Sequence, residues 1–411
     1  MKLGLKHLLL TTALVGVIAP VASAQDNPFL RGRHVAVTER GQPQYDPESI
    51  RAGSFQISSN LLAAAEYNDN VFGQASNTVE DTIVRIRPEV VATSNWTVHA
   101  ITAGASVDHR EYTSEGSETS TDYNLFVGGR LDGTRNFQLT GNASAGQLTE
   151  ARYEPGSQGA PEPAQNRYLN ADVGASYRSD RLLLQGQVGT RDNNYQYLYA
   201  QRDMTENFIS GRMSYAISPD IAVFGDVRQT DFEYDQSARD GSQISYRAGV
   251  SFELSAPFRG EVAVGQVTDE RDAPGVADSE ALSLDAAVMW FPTQLTTVTV
   301  RGFAGITDPG ILEALSANTQ RYSVRADHEL LRNVVLFGEL GFGSYEFNAA
   351  PGFPLYDRKD EYVDAAIGGA YKLNKHAHVE VGYHTRSTDA SGAANFDVDQ
   401  NVFSVGLRVF P

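Results

Sequence analysis

The chain contains no cysteine, and after residue 24 it contains no long apolar run. The absence of cysteine excludes disulfide scaffolds, cysteine-ligated zinc or iron–sulfur sites and thiol catalysis. A membrane-spanning helix needs about 20 consecutive apolar residues, so a bundle of such helices is excluded as well. The formal net charge of -18 argues against nucleic acid as a partner, because binding to phosphates requires a basic surface.

The N-terminal residues 1–24 are typical of a secretory signal peptide. A short basic head precedes an apolar stretch at 8–21, and the small residues Ala-Ser-Ala follow at 22–24, where a signal peptidase would cleave. A membrane anchor is the alternative, but this apolar stretch is too short to span a bilayer. The polar segment 25–52 has no sustained periodicity and is predicted to be a periplasmic N-terminal extension.

From residue 53 to the C-terminus the sequence alternates between apolar and polar residues. Ala171 and Val173, for example, alternate with Asn170 and Asp172. This period of two predicts strands with one apolar and one polar face. The strands are longer than those of a typical soluble sheet.

The connections between these strands alternate strictly between short and long. Short turns are predicted at 94–95, 132–133, 179–180, 218–220, 256–257, 292–293, 332–333 and 374–375. Long polar loops are predicted at 68–80, 113–121, 148–167, 192–203, 231–241, 269–279, 307–317, 347–360 and 387–395. Eight turns and nine loops predict eighteen strands.

An even number of strands with short turns at one end and long loops at the other is typical of bacterial outer-membrane barrels. The sequence therefore predicts an all-β fold, a transmembrane antiparallel up-and-down β-barrel over residues 53–411. Its turns would be periplasmic and its loops extracellular. A soluble propeller or sandwich is the alternative, but propeller blades use four strands of about five residues, whereas this repeat holds two long ones.

Three segments near the N-terminus resemble the opening of the β-barrel porin family of type 2: Tyr45-Asp46-Pro47, the segment 50–55 and the segment 66–72. These are uncharacterised barrels of the Gram-negative outer membrane, and relatives are often encoded beside exopolysaccharide genes. The resemblance implies a barrel over the whole mature chain and carries over no catalytic residues. One departure is the C-terminus, where Pro411 occupies the position usually held by a phenylalanine and Phe410 is one place out of register.

No enzyme motif is present, neither a Gly-x-Ser-x-Gly elbow nor a His-Glu-x-x-His helix nor a phosphate-binding glycine loop. The sequence therefore predicts no enzyme, no catalytic residues and no cofactor. His376, His378 and His384 lie near one another. A polar lumen wall accounts for them, and no metal site is predicted.

The polar face of the strands is the predicted pore lining, because a barrel of this width leaves a water-filled lumen. The expected pore-lining residues are Arg85, Arg87, Arg130, Arg178, Arg212, Arg228, Arg247, Arg301, Arg325, Arg408, Asp172, Asp226, Asp285 and Asp327. In one interpretation these charges pair across neighbouring strands. In the other, an arginine ladder faces acids across the bore and orients polar solutes.

The longest connection, 148–167, is the third long loop. By analogy with general porins it is expected to fold inward and narrow the channel. The constriction residues would be Glu150, Arg152, Tyr153, Glu154 and Glu162. A loop that stays outside the barrel is the alternative.

The function predicted from the sequence is a passive, porin-like aqueous channel for hydrophilic solutes or for export of a secreted polysaccharide. The alternative is a non-conducting structural or surface-interaction barrel that is plugged by its own loops. The expected partners are outer-membrane lipid, lipopolysaccharide and the barrel assembly machinery, with no nucleic acid. Polysaccharide export components are the further partner that the resemblance implies.

Overall fold

The computed structural model describes residues 32, 34–235, 239–254, 257–350, 352–353, 356–392 and 396–411. The predicted signal peptide lies outside the described residues. In the described part of the chain, no helix is both long and apolar enough to cross a membrane.

The described residues form one antiparallel sheet of nineteen strands, of which eighteen close into a barrel. The short strand β1 (Ile50–Ala52) pairs only with β2. The barrel strands are β2 (Phe55–Asn68), β3 (Asp81–Ser94), β4 (Ala100–Tyr112), β5 (Ser120–Asp132), β6 (Phe137–Thr149), β7 (Gln165–Ser179), β8 (Leu182–Tyr195), β9 (Met204–Ser218), β10 (Ile221–Tyr234), β11 (Gly241–Glu253), β12 (Phe258–Arg271), β13 (Ser279–Thr293), β14 (Thr296–Thr307), β15 (Ala314–Leu331), β16 (Val334–Ala349), β17 (Lys359–Asn374), β18 (Ala377–Ser391) and β19 (Val398–Val409). Each pairs with its neighbour in sequence, and β19 pairs with β2 to close the ring.

The closed antiparallel barrel of eighteen strands confirms the predicted fold class and strand number. Short turns lie at one end, which also holds both termini of the barrel, and long loops lie at the other. The long loops are numbered L1 (69–80), L2 (113–119), L3 (150–164), L4 (196–203), L5 (235–240), L6 (272–278), L7 (308–313), L8 (350–358) and L9 (392–397). Short 3-10 helices occur at Val37–Glu39, Gly116–Glu118, Pro155–Ser157 and Tyr197–Arg202.

The alternation in sequence separates the two faces of the wall. On β7, Leu169 and Val173 point outward, and Val173 is 59% exposed. Asn170 and Asp172 point inward, where they pair across the sheet with other inward residues. The outer surface of the barrel is therefore apolar and the inner surface polar, as expected of a wall between lipid and water.

Several glycines allow close approach of neighbouring strands, and Gly265 and Gly249 are two of them. A Cβ atom at Gly265 on β12 would overlap the carbonyl oxygen of Tyr246 on β11. A Cβ atom at Gly249 would overlap the ring of Phe224 and lie 2.5 Å from the carbonyl oxygen of Val262. These positions need a residue without a side chain because the obstacle includes backbone, which cannot rotate away.

Candidate functional site

The predicted pore-lining residues all lie on the inward face of the barrel strands, as the strand register places them. Most are ion-paired with other inward residues, which lie on the same strand, on an adjacent strand or two to three strands away. Arg85 lies between Glu66, at 3.0 Å, and Asp108, at 2.5 Å. Arg408 contacts Glu380 at 2.7 Å. This is the arrangement of the first interpretation, in which charges pair along the wall.

The other predicted charges follow the same pattern, with exceptions. The ion pairs are Arg130–Asp132, Arg212–Glu261, Arg228–Glu206, Arg247 with Asp226 and Asp285, and Arg325 with Asp327 and Glu339. Asp172 accepts a hydrogen bond from Asn142 at 2.9 Å. Arg87 and Arg301 have no carboxylate within 4.0 Å among the described residues, and Arg178 is exposed at the short-turn end. The wall therefore carries charges of both signs that largely neutralise one another.

Loop L3 crosses the bore from its base on β6 and β7. The ring of Tyr153 lies 4.1 Å from the guanidinium carbon of Arg386 on β18. The hydroxyl of Tyr345 on β16 donates a hydrogen bond to Glu154 at 3.4 Å. Because β16 lies half-way round the ring from β7, L3 contacts the opposite wall.

Two further loops hold L3 in this position. Arg152 of L3 donates hydrogen bonds to Glu118 of L2 at 2.8 and 2.5 Å. Arg202 of L4 donates to Glu150 of L3 at 2.6 Å. Glu162 differs from the other predicted constriction residues, because its side chain is exposed and only its backbone carbonyl is bound, by the hydroxyl of Tyr199.

The contact on the far wall is built around one buried arginine. Arg386 is 3% exposed, and its guanidinium lies between the rings of Tyr153 and Tyr362, at 4.1 and 4.0 Å. Asp364 lies 3.5 Å from it. Stacking of a desolvated guanidinium on aromatic rings is attractive because the ring face carries partial negative charge. We call Arg386, Tyr153, Tyr362, Asp364 and Glu154 the L3 seat.

Burial shapes the acid–base properties of the loop residues in the L3 seat. It raises the pKa of Glu154, although Arg386 and Arg321 act in the opposite direction. It also raises the pKa of the Tyr153 hydroxyl. Both shifts follow from the removal of water when L3 reaches the wall, since burial penalises the charged form.

The N-terminal segment 34–52 occupies the other end of the barrel. The backbone N–H of Val37 donates a hydrogen bond to Thr297 on β14 at 3.0 Å. Asp46 lies 3.2 Å from Lys372 on β17, and both are buried. Arg40 pairs with Glu329 on β15. Thr297, Lys372 and Glu329 all project inward from the wall. The segment therefore lies inside the mouth at the short-turn end, a contact that the sequence alone does not indicate.

We expect the substitution Lys372→Ala to loosen this segment. Removing one partner of a buried ion pair costs about 3 kcal/mol, because the other charge stays buried and loses its cationic partner. Hydrogen exchange of the backbone amides of Tyr45 and Asp46 should accelerate by about a hundredfold. The charge swap of Lys372→Asp with Asp46→Lys should restore much of the protection.

The control for this prediction is Lys375→Ala. Lys375 pairs with Glu48 on the exposed side of the same segment. Exposed pairs contribute little to stability, so exchange should stay at the wild-type rate. Equal acceleration in both variants would show that the buried pair does not anchor the segment.

The histidines noted in the sequence serve other contacts. A ring nitrogen of His378 lies 3.1 Å from the carbonyl oxygen of Tyr45 in the N-terminal segment, and His384 lies 3.5 Å from Asp364. His376 is bound to the carbonyl oxygen of Phe410 near the C-terminus. Among the described residues, no group of three or more ligating side chains is arranged to hold a metal ion.

The barrel resembles several solved structures. These include the outer membrane protein OpdK from Pseudomonas aeruginosa (13% identity, TM-score 0.48, covering 86% of this chain and 99% of that chain). OccK2 (OpdF) from the same organism matches at 12% identity and a TM-score of 0.49, covering 86% of this chain and 98% of that chain. The copper transporter OprC matches at 12% identity and a TM-score of 0.46, covering 89% of this chain and 81% of that chain.

A comparison with curated proteins finds no match. The family described as "Putative beta-barrel porin 2" matches residues 42–410, which includes the part of the N-terminal segment that contacts β17 and every barrel strand. The resemblance noted at the N-terminal motifs thus extends over nearly the whole chain, and the protein belongs to this β-barrel porin family.

Proposed function

We propose that the protein is a channel of a bacterial outer membrane through which small hydrophilic solutes diffuse. The observation that carries this proposal is the closed wall of eighteen strands with an apolar outer face and an inner face of amides, hydroxyls and paired charges. A barrel of this size is wide enough for water to fill its lumen. The predicted signal peptide and the predicted periplasmic position of the short turns agree with this location.

The channel would be narrowed at both ends. L3 crosses the bore near the end that holds the long loops, and the N-terminal segment lies in the mouth at the short-turn end. Solutes would pass beside L3 by diffusion, with no covalent step. Export of a secreted polysaccharide is a narrower form of this proposal, supported by the family resemblance.

The second candidate is a non-conducting barrel that has a structural or surface-interaction role. The specific observation in its favour is the network that joins L2, L3 and L4 to the far wall. If that network never opens, the lumen would be closed. Partners of either form would include lipopolysaccharide and the barrel assembly machinery, and for an exporter the polysaccharide export components.

Conductance of the purified protein in planar lipid bilayers separates the two candidates. A channel should give discrete current steps of uniform size in molar KCl, because a wide polar lumen conducts both ions. Heat-modifiable migration on a gel provides the control that the inserted protein is a folded barrel. Folded protein that inserts without current steps at any voltage would contradict the channel and favour the closed barrel.

A further inference from the structure

One sector of the inner wall differs from the rest in its chemistry. The inward positions of β6, β7 and β8 carry mostly amides and hydroxyls: Gln138, Thr140, Asn142, Ser144, Asn166, Tyr168, Asn170, Ser176, Gln185, Gln187 and Asn193. The charged residues among these positions are Asp172, Arg178 and Arg191. On β3 and β4, by contrast, neighbouring inward positions carry charges, among them Arg85, Arg87 and Asp108.

In the half of this sector nearer the long loops, beneath L3, the side chains are hydrogen-bonded to one another. Asn166 donates a hydrogen bond to Asn193 at 2.9 Å, and Asn170 donates to Ser144 at 3.2 Å. Arg191 donates to Asn170 at 3.2 Å. These side chains are hydrogen-bonded to one another, and so offer fewer free groups to a solute.

In the half of the sector nearer the short turns, several inward side chains lack such hydrogen bonds to described residues. The side chains of Gln138, Thr140, Ser176, Gln185 and Gln187 make no hydrogen bond to another described residue. We call these five residues the amide patch. All five face the lumen at the half of the wall nearer the short turns, and none is buried.

The register brings the amide patch into two adjacent rows. Gln138, Ser176 and Gln185 lie opposite one another across β6, β7 and β8. In the next row, Gly174 separates Thr140 from Gln187. A Cβ atom at Gly174 would lie 2.8 Å from the hydroxyl of Thr140 and 3.9 Å from Cγ of Gln187. Both side chains therefore lean over a shallow gap that the glycine leaves open.

The chemistry of the amide patch selects a class of ligand. Glutamine and the hydroxyl residues each donate and accept hydrogen bonds, and none is charged. A sugar hydroxyl also donates and accepts, so a polyol can pair with several of these groups at once. An inorganic ion gains less here than beside the paired charges of the other sectors, because its water shell is replaced only by neutral dipoles.

We propose that the amide patch is a weak binding site inside the lumen for neutral polyhydroxylated solutes such as sugars. This inference rests on the proposed channel function and names the solute class that the channel favours. A solute held at this wall would lie near the mouth that the N-terminal segment occupies. The opposing interpretation is that the amide patch binds only water and serves to keep the lumen wet.

Block of single-channel current by maltotriose tests the proposal. Polyethylene glycol of similar hydrodynamic size is the matched probe, because its ether oxygens accept hydrogen bonds but apart from its chain ends it donates none. Maltotriose should interrupt the current at lower concentration than the polyethylene glycol. The double substitution of Gln185→Met with Gln187→Met keeps side-chain length and should weaken the sugar block about tenfold, through loss of two or more hydrogen bonds.

Arg301→Gln is the control variant, since Arg301 lies on the inner wall outside the sector and has no acidic partner among the described residues. It should change the preference between cations and anions and leave the sugar block unchanged. Equal block by the two probes, or an unchanged sugar block in the double variant, would overturn the amide patch while the channel stands. Absence of any current from folded protein would overturn both.

Discussion

Arg386→Ala is expected to release L3 from the far wall and to increase the open time of the proposed channel. The guanidinium stacks on Tyr153 of the loop and on Tyr362 of the wall, and it faces Asp364. A desolvated cation–π contact contributes about 2 kcal/mol, and the loss of the nearby cation adds to the cost. A total loss of about 3 kcal/mol shifts the equilibrium between seated and released L3 by about a hundredfold.

Single-channel recording measures this effect as the frequency and duration of transitions to a larger conductance. Arg386→Lys should lie between the wild type and the alanine variant, because lysine keeps the charge but loses the flat stacking surface. Tyr153→Ala should act in the same direction from the loop side. Glu162→Gln is the control, since that side chain is exposed and takes no part in the L3 seat. Wild-type recordings from both Arg386→Ala and Tyr153→Ala would mean that the L3 seat does not hold the loop.

Gly265→Ala is expected to have the largest effect on stability. The new methyl group would overlap the carbonyl oxygen of Tyr246 on the neighbouring strand. Backbone can move aside only if the pairing of β11 with β12 is distorted, and overpacking of this kind costs about 3 kcal/mol or more. The folded fraction on a heat-modifiability gel should fall, and the midpoint of urea unfolding should shift to lower concentration.

Gly338→Ala, on β16, provides the control, because it adds the same methyl group at another strand glycine. No atom lies within 4 Å of a Cβ atom placed there. The added methyl group restricts the unfolded chain without a clash, so the stability should stay within about 1 kcal/mol of wild type or rise. If the two alanine variants unfold at the same urea concentration, the close approach at Gly265 does not determine strand pairing.

The strands, turns and strand number could be predicted because their signal is local. Alternation such as that of Asp172 and Val173 follows directly from a strand with water on one side and an apolar phase on the other. The inward position of the charged residues follows from the same alternation. The inward fold of L3 is expected only by analogy with general porins, and in the structure the loop reaches the opposite wall.

The partners of L3 and of the N-terminal segment could not be predicted. Glu154 and Tyr345 are 191 residues apart, and Asp46 and Lys372 are 326 apart. Loops and extensions have no periodicity that encodes where they dock, so these contacts depend on the closed ring. Arg386 is one of several inward arginines in the sequence, and no local pattern distinguishes it from the others.

The docking of the N-terminal segment has a consequence for the order of assembly. Although this segment is synthesised before the barrel strands, Val37, Arg40 and Asp46 bind to β14, β15 and β17. Those strands must already have curved into a wall before the segment can find them. Protection of the segment from protease would therefore mark a stage of assembly at which β14, β15 and β17 have already formed, and a segment that is still cleaved would mark an earlier stage.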